Sequence, residues 1–159
     1  VDYETSGLRK FAKSLSKERL RIYTDGRLGV IIDGTGHKFS SVKEKRKKLM
    51  DLGYDTYMVF VNTSLEVAKK RNNERARRLP EKILVKSWKD VQHNLGKFQG
   101  LFGRNFAVVD NSKFLSEKDA QKKFGMITKK YIDKFVKKPL KNPKGKAWVK
   151  HQKILKGKK

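Results

Sequence analysis

Apolar residues recur along this chain in two rhythms, one of three and four and one of short continuous runs. Leu8, Phe11, Leu15, Arg19 and Ile22 keep the first rhythm among many basic residues and predict a helix over residues 4–24. Leu28 to Asp33 is a short, β-branched run bounded by Gly26 and by Gly34-Thr35-Gly36, which predicts a buried strand and a tight turn. Residues 40–52 read as a lysine-rich helix, with Gly53 where a C-cap glycine belongs. Tyr54 to Asn62 is a second apolar run. Thr63 with Glu66 three residues on forms a capping-box pattern, opening a helix that runs to about Arg78. After Pro80, the residues Leu84, Trp88, Val91, Leu95, Phe98 and Phe102 trace one apolar stripe on a long helix. Phe106 to Asp110 is a third run, closed by Asn111-Ser112, and Ser116 with Asp119 starts a helix reaching about Lys134. Strands near 28–33, 56–62 and 105–110 alternating with helices predict an α/β fold of three layers, a small parallel sheet flanked by helices. No period of 20 to 50 residues repeats, so a solenoid is not expected.

Composition changes this picture mainly through charge. The 159 residues suit one domain, and 41 Lys and Arg against 16 Asp and Glu give a net charge of +25, a pI near 10.3 and a mean hydropathy of −0.77. Residues 137–159 hold ten lysines and no acid, with Pro139 and Pro143 near their start. They read as a basic tail, with one short helix around Trp148, on a domain of residues 1–136. The domain itself keeps a large positive excess, so a polyanionic partner, nucleic acid above all, is expected through phosphate contacts that carry no sequence preference. Lys137, Lys138, Lys141, Lys144, Lys146 and Lys150 are the candidate contacts. Tyr131, Phe135 and Trp148 interleave these stretches, either as stacking platforms or as packed anchors. No helix-turn-helix, zinc-finger or RNP-type motif supports sequence-specific reading. Cysteine is absent, which excludes disulfides and thiolate chemistry and fits a reducing compartment, so the cytoplasm is the expected location. Apolar runs such as Val30-Ile31-Ile32 and Met58-Val59-Phe60-Val61 fall far short of a bilayer span, so no membrane is expected. The chain opens on Val rather than Met, as a processed or truncated chain would.

Two stretches carry candidate chemistry. A carboxylate ending a buried parallel strand lies at the ligand-binding edge of an α/β sheet, which points to Asp33, with Thr35 beside it, as catalytic and metal-orienting groups. The same residue types also simply build turns. Arg71, Arg75, Arg77 and Arg78 crowd a helix end before Pro80, where guanidinium forks can close over phosphates or merely form a solvated basic face. His37, His93 and His151 have no metal-ligand spacing, and no Gly-x-Ser-x-Gly string is present.

The run Val30-Ile31-Ile32-Asp33-Gly34-Thr35-Gly36, the helix after it, the stretch from Leu52 through Met58-Val59-Phe60-Val61-Asn62 to Ala68, and the pattern Arg71-Asn72-x-x-Arg75 together resemble the latter part of zeta-toxin-like and polynucleotide-kinase-like P-loop kinases, particularly phage-encoded ones. The resemblance covers about residues 5–112. It implies a P-loop-kinase-like fold incomplete at its N-terminus, and a phosphotransferase that moves the γ-phosphate of Mg²⁺-ATP to a hydroxyl of a nucleotide, nucleic acid or sugar nucleotide. It also implies Asp33 and Thr35 in the Mg²⁺ and substrate region, Arg71, Arg75 and Arg78 on nucleotide phosphates, and the host-cell cytoplasm as the location if the chain is phage-encoded. The departure is that no Gly-x-x-x-x-Gly-Lys-[Ser/Thr] string exists, and Gly34-x-Gly36-x-Lys38 is too short to replace it. An upstream segment carrying the P-loop would have to complete the enzyme. The alternative is a catalytically inactive relative that works as a basic nucleic-acid-binding protein.

Overall fold

Helix α1 (Tyr3–Asp25) follows the three-and-four rhythm and stops with a reversal at Arg27. The Leu28 N–H donates to Tyr23 O (2.9 Å) and the Arg27 N–H to Thr24 O (3.1 Å), the two bonds that close a helix through a left-handed residue. Arg27 takes that conformation itself (φ 57°), and its own Nη1 returns to Thr24 O at 2.8 Å. The expected apolar positions of α1, Leu8, Phe11, Leu15 and Ile22, are exposed. This computed structural model describes residues 3–113 and 115–157, and the chain divides into two units, Val1–Gly34 and Thr35–Lys159. Residues 137–157 belong to the larger unit.

The strand expected over Leu28–Asp33 does not form. The run is irregular and pairs with no strand among the described residues, and Ile31 is 91% exposed. A strand is a pairing rather than a property of six residues, so β-branched content without a ladder leaves irregular chain. The three-layer, three-stranded expectation is corrected accordingly. The fold is mixed α/β, mostly helical, with a two-stranded parallel sheet.

That sheet consists of β1 (Met58–Asn62) and β2 (Phe106–Asp110), aligned from Met58 opposite Phe106 to Asn62 opposite Asp110. Parallel neighbours need a crossover, supplied here by α3 (Leu65–Glu74) and α4 (Glu81–Phe102). Helix α2 (Phe39–Asp51) precedes the sheet and ends as its sequence requires. Gly53 sits at φ 100°, its N–H donates to Met50 O and the Tyr54 N–H to Leu49 O, each at 3.0 Å, a full Schellman motif. Between these elements lies a small aromatic core of Phe60, Phe98 and Phe102, flanked by Phe39, Val42, Met58, Val91, Leu95, Leu101 and Phe106. Phe98 is fully buried, with ring centroids 5.4 Å from Phe39 and 6.2 Å from Phe60. Truncating such a side chain costs about 3–5 kcal/mol. The stripe expected on α4 thus reaches the core from Val91 onward, while Leu84 and Trp88 are half-buried.

The helix expected from Ser116 to Lys134 is α5 (Glu117–Ile127), a π-helical turn (Thr128–Ile132) and α6 (Asp133–Val136). Ser116 caps it by accepting the Asp119 N–H at 3.2 Å. Helix α7 (Pro143–Gly157) is longer than the short helix expected around Trp148. Its start carries a legible signature, with Asn142 at the N-cap accepting the Lys144 N–H (3.0 Å) and Pro143 at the first helical position. Among the described residues no helix is long and apolar enough to cross a membrane.

Candidate functional site

The carboxyl ends of β1 and β2 lie side by side, the edge where parallel sheets receive ligands. Here the polar groups largely satisfy one another. The Asn111 N–H donates to Asn62 O (2.7 Å), Thr63 Oγ1 to Asn111 O (3.2 Å), and the Ser64 N–H to Ser112 Oγ (3.0 Å). From α4, Trp88 Nε1 donates to Thr63 O and Gln92 Nε2 to Asn62 Oδ1, both at 2.8 Å. Ser64, one residue later than the expected Thr63, is the N-cap of α3 and accepts the Val67 N–H. Asp110 is the exposed acid of this edge. Hydrogen bonds from the Ser112 hydroxyl and from its backbone N–H (3.0 Å) hold the Asp110 carboxyl below the usual carboxylate range, so it stays ionised.

Asp33 and Thr35 fall elsewhere. Asp33 is exposed on the irregular run of the smaller unit, so the sheet-edge position expected for it is corrected. Thr35 opens the larger unit, and its Oγ1 lies 2.5 Å from His37 Nδ1. The turn that follows is anchored by buried Asn94 of α4, whose Nδ2 donates to Gly36 O (3.1 Å) and His37 O (2.9 Å). Among the described residues no three His, Asp or Glu gather as metal ligands, and the Thr35 hydroxyl is already engaged.

The arginines form the more definite arrangement. Helix α3 ends at Glu74, earlier than the expected Arg78, because buried Asn72 turns the chain back on itself. Asn72 Nδ2 donates to Leu79 O and Asn72 Oδ1 accepts the Leu79 N–H, each at 2.9 Å. The residue before Pro80 disfavours helix as well. The result is a closed loop from 72 to 79 that presents Arg75, Arg77 and Arg78 to solvent. Arg78 Nε reaches Arg75 O at 3.4 Å, within the loop. Arg71, on the helix, extends instead to the β2 side, where Nη2 donates to Lys113 O at 3.2 Å. Arg75, Arg77 and Arg78 enter none of the ion pairs seen among the described residues, which include those of Arg21, Lys47, Lys48, Lys69 and Lys86.

The structure sorts the candidate lysines of residues 137–159. Lys138 Nζ donates to Asn105 Oδ1 (3.2 Å) and lies over Tyr57 and Phe135, which stack at 4.6 Å. Phe135 is therefore a packed anchor. The Asp55 carboxylate accepts the Lys141 N–H (2.6 Å) and the Asn142 N–H (3.1 Å), while Asn142 Nδ2 donates to Met50 O and Tyr54 O. Lys144 Nζ donates to Asp51 O at 3.1 Å. Residues 138–145 thus clip α7 onto the turn between α2 and β1. Lys137, Lys146 and Lys150 stay exposed, and Lys153 and Lys156 continue the exposed series beyond the expected set. The clip partners Asp55 and Asn142 escaped the sequence reading, although Asn-Pro before a helix is a recognisable start signal.

No protein-family model matches the chain, and neither does any curated protein or solved structure.

Proposed function

We propose that the protein is a basic nucleic-acid-binding protein that grips the phosphate backbone without reading sequence. The loop closed by Asn72 carries this reading. It holds Arg75, Arg77 and Arg78 exposed on a short, tied segment, on a chain with a net charge of +25. Guanidinium forks match phosphate oxygens bidentately, and a loop already closed by two hydrogen bonds loses less conformational freedom on binding than an open one. Filter binding of duplex DNA and of RNA across a salt series is the test. Each lost phosphate contact lowers the slope of log K against log salt by roughly 0.7–0.9, so Arg75→Gln/Arg77→Gln/Arg78→Gln should lower it by roughly 2–3. Failure of the unaltered chain to retain either nucleic acid at low salt refutes the reading.

A second reading, phosphotransfer to a hydroxyl of a nucleotide, nucleic acid or sugar nucleotide, is favoured by one observation, the ionised Asp110 at the carboxyl end of a parallel strand pair. It requires a phosphate-gripping loop from an upstream segment, and with it ATP and Mg²⁺. On that reading residues 1–159 alone bind ATP feebly. A dissociation constant of about 1 μM by calorimetry, roughly 8 kcal/mol, would reveal phosphate donors outside those described above.

A further inference from the structure

The clip that holds α7 and the lysines that α7 displays are different residues. We propose that Lys146, Lys150 and Lys153 form a second phosphate-binding surface, a ladder along one face of α7 that follows a nucleic-acid strand independently of the arginine loop. The inference rests on the nucleic-acid reading above and names a site within it. Spacings of four and three put the three residues in one stripe. At 1.5 Å rise per residue the stripe is roughly 10 Å long, about three intervals of the 3.4 Å axial rise between phosphates of one strand. All three side chains are exposed, and no acid occurs anywhere from residue 137 to 159 to neutralise them.

The ladder is also held in place. Gly145, one residue before Lys146, is buried against Gly53, and the backbone of Lys141 and Asn142 is fixed on Asp55. The helix is therefore anchored at its first turn while the lysine stripe faces solvent. Lys138 and Lys144, whose ammonium groups are engaged by Asn105 and by the Asp51 carbonyl, belong to the anchor. A lipid surface fits α7 less well. Trp148, Val149, Ile154 and Leu155 are partly exposed but spread around the helix, and Lys144 and His151 interrupt the arc that holds Trp148, Leu155 and Ile154. An interfacial helix instead needs one continuous apolar face.

The test compares two charge-matched variants of the full chain, Lys146→Gln/Lys150→Gln/Lys153→Gln and Lys45→Gln/Lys82→Gln/Lys89→Gln, in filter binding to a generic DNA duplex from low to high salt. The ladder variant should lose roughly 2–3 units of salt slope, since three contacts each contribute roughly 0.7–0.9, with an unchanged melting temperature. The control should lose clearly less. Equal losses in the two variants, with the unaltered chain binding, overturn the ladder and leave the nucleic-acid reading standing. No retention of DNA by the unaltered chain overturns both. Ladder-dependent capture by phosphatidylserine vesicles with no retention of DNA would assign α7 to a lipid surface and overturn the proposal.

Discussion

Replacing Gly145 by alanine should destabilise the protein, although the same replacement at Gly96 should stabilise it. Gly96 lies in the interior of α4 and Gly145 in the first turn of α7, and in a helix interior alanine is favoured over glycine by roughly 0.5–1 kcal/mol. At Gly96 an added Cβ meets nothing within 4 Å, so that gain stands alone. At Gly145 the Cβ would fall on the Gly53 carbonyl oxygen, closer than real Cβ atoms approach any atom, and 3.0 Å from Leu140 Cδ2. Leu140 can swing aside. The Gly53 carbonyl cannot, because the Schellman motif fixes Gly53 and Tyr54 onto Met50 and Leu49. The two backbones must then separate, an overpacking cost of about 1–3 kcal/mol, and separation stretches the bonds of Asp55 and Asn142. Setting at most that propensity gain against this leaves Gly145→Ala destabilised by up to roughly 2.5 kcal/mol. Urea melts at constant m-value measure both variants, and amide exchange shows whether the loss concentrates in residues 137–157. A Gly145→Ala midpoint at or above that of the unaltered chain would refute the close approach of α7 to the α2–β1 turn.

Asn72→Ala should cost about 1–3 kcal/mol, since it leaves the Leu79 N–H and carbonyl without their partner. It should also weaken DNA binding with Arg75, Arg77 and Arg78 intact, and unchanged binding by the folded variant would show that the loop's closure is irrelevant to it. Burial first, then the nearby Asp55 charge, raises the Tyr57 phenol above its ordinary value of 10.0. Because the raised pKa belongs to the folded state, its contribution is complete below pH ~10 and fades as pH climbs through the folded value. Tyrosinate absorbance, with Tyr57→Phe as the difference standard, should place this group's midpoint above the ordinary phenol value of 10.0, and thermal melts of Tyr57→Phe should show a smaller alkaline loss.

How much was legible varies with the range over which each feature is decided. Helix α2, its glycine cap, α4 with its stripe and both observed strands could be read because local rhythm and capping chemistry decide them. Leu28–Asp33 looked as strand-like as Phe106–Asp110, but only the second finds a ladder, and pairing is set by residues far away in sequence. Within the site, the arginine cluster was visible as composition. Its shape was not, because Asn72 acts through the backbone of Leu79, a contact without a sequence motif. The lysines of residues 137–159 looked equivalent for the same reason. Only Asn105, Asp51 and Asp55 distinguish those that anchor from those that are displayed.

The parallel pair also constrains how the chain reaches its folded state. Antiparallel neighbours can meet through a two-residue turn, but β1 and β2 cannot pair until the whole stretch carrying α3 and α4 has been brought round. That closure loses chain entropy before a single ladder bond forms, and five residue pairs return little for it. Helix α4 relieves the difficulty, because Phe98 can meet Phe60 and Phe39 while β2 is still unpaired. The topology therefore predicts that the long search joining α4 to β1 sets the folding rate, and φ-values near zero in β2 would mark the sheet as a late product of that encounter.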